Sequence, residues 1–129
     1  MRYLLIFFFS MITVVEAEII LRKQNDRYCY DGDTCYVIID GKNTKIRLLE
    51  LDTPEISKPK CDAEKRLGIE ARDYLNSLIE NASTIEFKTD YVEDYFGRVL
   101  SFLIIDGEDV SKNPSVIGET IKSVLERQL

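Results

Sequence analysis

The 129-residue chain contains no histidine and no tryptophan, only three cysteines and three prolines, and its basic residues are outnumbered by acidic ones, 17 to 23. Each scarcity excludes something. Without histidine there is no Ser-His-Asp or Cys-His nucleophile, no histidine-pair nuclease and no His-containing zinc site. Three cysteines fall short of an all-cysteine tetrahedral zinc site. A formal net charge of −6 leaves no strongly cationic stripe along the chain for nucleic acid. Proton chemistry is left to carboxylates, Lys, Tyr or Cys. A metal site built on carboxylates favours a hard cation such as calcium or magnesium. What remains is ordinary globular composition, 45% hydrophobic and 31% charged, and one domain is expected at this length.

Arg2 precedes an apolar run from Tyr3 to Phe9, which continues after Ser10 through Met11 to Val15. Val15-Glu16-Ala17 puts small or β-branched residues at −3 and −1 of a cut after Ala17. Residues 1–17 therefore read as a secretory signal peptide, with a mature domain at 18–129 that is secreted or periplasmic and does not associate with membrane. The run is short for a spanning helix, which needs about 20 apolar residues; an uncleaved anchor is the rival. Export places Cys29, Cys35 and Cys61 in an oxidising compartment. A disulfide between Cys29 and Cys35 can close the Asp-Gly turn that they flank. Pairing of Cys61 with either is the alternative, and one thiol is left over.

Three strands open the domain: Ile19–Leu21, Cys35–Ile39 and Thr44–Leu51, with turn signals at Asp31-Gly32 and Asp40-Gly41. Pro54 and Pro59 mark a loop. Ala63, Leu67, Ala71, Tyr74, Leu75, Leu78 and Ile79 then recur at helical spacing, with Asp62 as the N-cap candidate, Gly68 as a reason for a later start, and an end near Asn81. Thr84–Thr89 and Arg98–Ile105 read as the fourth and fifth strands, and 115–129 as an amphipathic C-terminal helix. The order β-β-β-α-β-β-α predicts a mainly β, α+β fold. It suits a five-stranded OB-fold Greek-key barrel with a helix between strands 3 and 4 and a short C-terminal helix.

Four segments bear chemistry: Asp31-Gly32-Asp33-Thr34, Arg47-Leu48-Leu49, Asp52-Thr53-Pro54-Glu55 and Asp94-Tyr95-Phe96-Gly97-Arg98. Arg47 interrupts a run that otherwise builds core, so its charge must snorkel outward or be met by carboxylates or a phosphate. Asp33, at a hairpin end, and Asp52 and Glu55, at a strand exit, can converge on one mouth of a small barrel. Three carboxylates without partners would repel one another; two arginines and a divalent cation relieve that. Such an assembly suits phosphodiester cleavage without histidine. A cation on Asp33 and Asp52 binds a phosphate oxygen, Glu55 accepts a proton from water, and Arg47 and Arg98 clamp the phosphate.

In the order and spacing of these segments, and in Gly68-Ile69-Glu70-Ala71 on the helix, the chain resembles the staphylococcal nuclease (thermonuclease) family from roughly Ile19 to Val110. The resemblance implies a calcium-dependent nuclease on an OB-fold barrel. Asp33 and Asp52 match its calcium carboxylates, and Thr53 the residue offering a backbone carbonyl to the ion. Glu55 matches the general base, Arg47 and Arg98 the catalytic arginines, and Asp94 a structural position. It further implies DNA and RNA as substrates, low sequence specificity and 3′-phosphorylated products, from a monomer without a stable protein partner. Phe96 stands where the best-known member has tyrosine, and so can stack but cannot donate a hydrogen bond. The competing expectation is a non-catalytic nucleic-acid-binding module on the same barrel.

Overall fold

The computed structural model describes residues 17–113 together with Ser10, Ile12 and Thr13. The expected C-terminal helix and most of the expected leader lie outside the described residues. Strand β1 (Ile19–Leu21) pairs antiparallel with β2 (Thr34–Ile39), which pairs antiparallel with β3 (Lys42–Leu48). Ile39 and Lys42 face each other directly, so Asp40-Gly41 is a two-residue turn. Both residues have positive φ, 49° and 76°, the backbone that Asp-Gly adopts most readily. Helix α1 (Asp62–Glu80) follows, then β4 (Ile85–Lys88), β5 (Val99–Ile105) and a two-residue β6 (Glu108–Asp109) ending in a short 3₁₀ turn (Val110–Lys112). β3 and β5 run parallel, giving the order β1-β2-β3-β5-β4 with β6 on β5. The sheet curls into the nearly closed barrel of an OB fold.

Alternation on β5 shows how the core is filled. Val99, Ser101, Leu103 and Ile105 point inward and the residues between them are half-exposed. Val99, Leu103 and Ile105 meet Val37, Ile46 and Leu48 from the other strands and Leu75 and Ile79 from α1 in one apolar cluster. Cys29 and Cys35 are fully buried in that cluster and form the disulfide, leaving Cys61 free and exposed. The bridge closes the base of the 29–35 loop, which carries Asp31 and Asp33.

Several expected boundaries are corrected. β3 ends at Leu48, not Leu51, because Glu50 turns the chain at φ 57°. The helix starts at Asp62 despite Gly68, and its N-cap is Cys61, whose side chain makes no cap bond. Glu64, in the first turn, instead ties the helix to the loop before it. Its carboxylate accepts from the Lys60 N–H at 2.9 Å and the Glu55 N–H at 3.3 Å. The pairing of β6 is a further strand that the sequence pattern did not signal.

Gly68 is required by packing, not by a turn. A Cβ there would lie 2.6 Å from the Pro54 carbonyl oxygen and 2.8 Å from the Ile56 side chain. The helix thus presses on the backbone of the loop that carries Glu55. An ordinary mid-helix Gly→Ala gains up to about 1 kcal/mol. Gly68→Ala should instead lose about 1–2 kcal/mol in urea unfolding, because a backbone carbonyl cannot yield; a stabilised variant would contradict that close approach.

Candidate functional site

β2–β3 pairing sets Thr34 opposite Arg47, so both side chains lie on one face at the start of β2. Asp33, just before β2, is buried. One of its oxygens, Oδ1, accepts from the Thr34 hydroxyl at 3.2 Å; the other accepts from the Thr53 N–H at 3.2 Å and meets Arg47 Nη2 at 3.3 Å. Arg47 is fixed independently. Its Nη1 donates to the carbonyls of Leu48 and Leu51, each at 2.6 Å. The cation in the core-building run is therefore anchored, half on Asp33 and half on the turn that ends β3.

Arg98, just before β5, reaches the same cluster from the strand that neighbours β3. Its Nη1 donates to the Thr34 hydroxyl oxygen at 3.3 Å, so Thr34 bridges Arg98 to Asp33. Asp94 holds Arg98 in place. One oxygen accepts from the Phe96 and Arg98 N–H groups at 2.9 and 3.0 Å, the other from Arg98 Nε at 2.7 Å. Burial pushes the Asp94 carboxyl up, but hydrogen bonds and the charge of Arg98 outweigh it, and the group stays below the usual carboxylate range. The Arg98 guanidinium also sits over the Phe96 ring at 5.4 Å.

Glu55, Arg98, Phe96, Thr34 and Asp31 line one open cleft of about 300 Å³. Glu55 is oriented at its own end. Its Oε1 accepts from the Ser57 hydroxyl at 2.8 Å and the Ser57 N–H at 3.3 Å, while Glu64 holds its backbone. The structure thus joins Asp33, Thr53 and Arg47 in one bonded cluster and puts Glu55 and Arg98 on the adjoining cleft. Asp52 is different. It is exposed beside Thr53, and its carboxylate makes no hydrogen bond or ion pair with a described residue. Among the described residues no group of three or more acidic or cysteine side chains forms a ready-made metal cage.

Two contributors fall outside the set of site residues that the motifs single out. Glu64 carries a partial signal, an acidic residue in the first helical turn, but the N–H groups it accepts from belong to the preceding loop, at Glu55 and Lys60. Asp31 is the other. Its Oδ1 accepts from the Asp33 and Thr34 N–H groups at 3.0 and 2.7 Å. Burial, then the neighbouring Asp33 charge, pushes its carboxyl up to about 7. Gly32 lies between the two acids, where a Cβ would meet the Thr53 side chain at 2.5 Å. Only glycine lets the acidic loop close onto Thr53, whose hydroxyl oxygen is buried without a hydrogen-bond partner.

The half-buried Asp31 carboxyl is raised by burial and by the neighbouring Asp33 charge, so the acidic loop is short of positive charge. An oxygen-seeking divalent cation fits that shortage. Asp33, Asp52 and the Thr53 carbonyl are the residues that would hold it, with Asp31 adjacent.

The family model described as staphylococcal nuclease homologue matches residues 45–116. Over 83 residues, 64% of this chain, it is 34% identical to endonuclease YncB of Bacillus subtilis (strain 168), covering 39% of that protein. Over 79 residues, 60% of this chain, it is 34% identical to a thermonuclease of Staphylococcus hyicus, covering 46% of that protein. The SPbeta prophage-derived endonuclease YokF of Bacillus subtilis (strain 168) is 31% identical over 83 residues, 64% of this chain and 28% of its own length. The chain spans less than half the length of each of these relatives.

Asp31 gives a pH signature. Between about pH 4 and 7 the folded protein keeps a proton that the unfolded chain has released. Without divalent cations, stability should therefore fall as pH rises through that window, by up to about 1.4 kcal/mol per pH unit from this group, and level off above it. Asp31→Asn keeps the acceptor for the turn and should remove that fall in urea unfolding at pH 5 and 7. An equally steep variant would show that Asp31 is not the titrating group.

Proposed function

The chain belongs to the family of staphylococcal nuclease homologues, and on that premise we propose that it is an exported, calcium-dependent nuclease. It hydrolyses DNA and RNA with little sequence preference, as a monomer, and leaves 3′-phosphorylated ends. The observation that carries this reading is the shared environment of Glu55 and Arg98 on one cleft, with Arg98 linked through Thr34 and Asp33 to Arg47.

A phosphodiester that enters the cleft meets the guanidinium of Arg98, whose orientation is already set by Asp94. Because the donors are fixed before substrate arrives, they stabilise the charge that grows on the phosphate oxygens with little reorganisation. Arg47, held by two carbonyls and Asp33, adds a second fixed cation to the same polar cluster. Glu55 takes a proton from water as the water oxygen bonds to phosphorus. The bond from phosphorus to the 5′-oxygen breaks, the departing oxygen takes a proton from solvent, and Glu55 returns its proton to solvent. When bound, calcium neutralises charge on the acidic loop and on a phosphate oxygen. Export rests on the residue 1–17 pattern, and the oxidised Cys29–Cys35 pair is compatible with it.

Purified protein should cleave single-stranded DNA with calcium and not with chelator. Glu55→Gln should lower kcat by about 10²–10⁴-fold at unchanged thermal stability; Arg47→Ala should lower it by a similar factor and also lower thermal stability, because buried Asp33 loses its cation. Strand binding without cleavage under any divalent cation would contradict the enzymatic reading in favour of a binding module.

Calcium binding should also displace the Asp31 proton. Below about pH 7 its affinity should then rise with pH, and calorimetry in buffers of different ionisation enthalpy should register proton release. Binding without proton release at pH 6 would place the ion elsewhere.

A further inference from the structure

Tyr30 lines the Glu55–Arg98 cleft, and it also lines a second, smaller cavity of about 110 Å³. Arg27, Arg72, Tyr36, Gln24 and Asn25 contribute to that second cavity, and no carboxylate does. The side chain of Arg27 makes no hydrogen bond or ion pair with a described residue. Arg72 spends its Nε on Asp73 at 2.9 Å, which leaves its terminal N–H groups. Two further cations crowd the same aromatic floor. Arg22 and Lys45 lie over the Tyr36 ring at 5.1 and 5.8 Å, and Arg22 Nε is buried without a partner. The acids around it do not line it: Asp73 holds Arg72 Nε from outside the cavity, Asp31 lines the cleavage cleft and Asp26 lies on the exposed turn after Asn25. In a chain of net charge −6, four cations have been gathered around two tyrosines beside the reactive cleft.

We infer that the Arg27–Arg72 cavity is a flanking subsite for single-stranded nucleic acid, in which the arginines take a backbone phosphate outside the cleavage cleft and a base stacks on Tyr30. This rests on the nuclease reading and extends it. Cations interleaved with aromatic faces are the chemistry that holds a single strand without reading its sequence. Tyr30 has over two-fifths of its surface exposed and belongs to both cavities, so a strand can continue from one to the other across its ring. A duplex would keep its bases stacked on one another and leave the ring unused. At the cleft itself Phe96, 76% exposed, offers a second aromatic surface, backed by Tyr95 edge to face at 5.4 Å. The subsite also answers how an acidic protein holds a polyanion: the attraction is local, carried by a few cations along the strand's path.

The test is fluorescence anisotropy on the full chain with calcium, using phosphorothioate-linked oligothymidylates of two and of eight nucleotides, which resist cleavage. The Arg27→Ala/Arg72→Ala double variant should bind the octamer about tenfold more weakly, leave the dimer unchanged, and lower the slope of log affinity against log salt by about 0.7. Tyr30→Ala should weaken the octamer by a similar factor, about tenfold, with no change of slope. The Lys pair at 27 and 72 should restore the slope. If the double variant does not fold, Arg27→Gln alone carries the same comparison. Equal loss on both lengths, or no loss on the octamer, overturns the subsite while leaving the nuclease reading intact if the wild type cleaves DNA. A wild type that neither cleaves nor binds either oligomer overturns both.

Discussion

Asp33 is the joint on which the site depends. A single buried carboxylate takes bonds from the Thr34 hydroxyl, the Thr53 N–H and Arg47, and so ties together the acidic loop, the loop after β3 and β3 itself. Removing one partner from a buried charge leaves it uncompensated, which costs far more than the pair is worth in water. The three segments are therefore held in register by a polar knot inside an otherwise apolar barrel. The disulfide from Cys29 to Cys35 closes the base of the acidic loop, and Gly32 lets that loop lie against Thr53. Arg98 joins from a distant strand through Thr34, 64 residues away in sequence.

Around that joint the two loops carrying chemistry are supported from behind. Glu64 on α1 binds the backbone of Glu55 and Lys60, and Gly68 lets the same helix press against Pro54. Asp94 fixes both the backbone and the side chain of Arg98, whereas for Glu55 the two tasks are divided, Glu64 holding the backbone and Ser57 the carboxylate. The helix thus packs on the barrel with one face and holds the backbone of Glu55 with its first turn.

Much of this was legible in the sequence. The Asp-Gly turns, the alternation on β5 and the helical spacing of Leu67, Ala71, Leu75 and Ile79 specify their elements directly, since each pattern reports which side chains face the core. Arg47 stood out because a cation between Ile46 and Leu48 needs an anion, and it has one. Other features depend on contacts between remote segments. Gly68 read as a weak point in a helix, yet what decides its role is the Pro54 carbonyl, which no local pattern reveals. Asp31 read as a turn residue; its raised carboxyl follows from burial beside Asp33. The end of β3 at Leu48 was hidden because Leu49 and Leu51 continue the apolar run while Glu50 turns the backbone. Asp52 carries the plainest motif and the fewest contacts: it lies exposed beside Thr53.

The central claim is that Arg47 and Arg98, linked through Asp33 and Thr34, serve one phosphate site. Side-chain ¹⁵N NMR of the arginines tests it directly, on titration with calcium and a thymidine 3′,5′-bisphosphate. Resonances of Arg47 and Arg98 should move together with a single midpoint, and Asp33→Asn should uncouple them. Movement of one without the other, or of neither, would contradict the account.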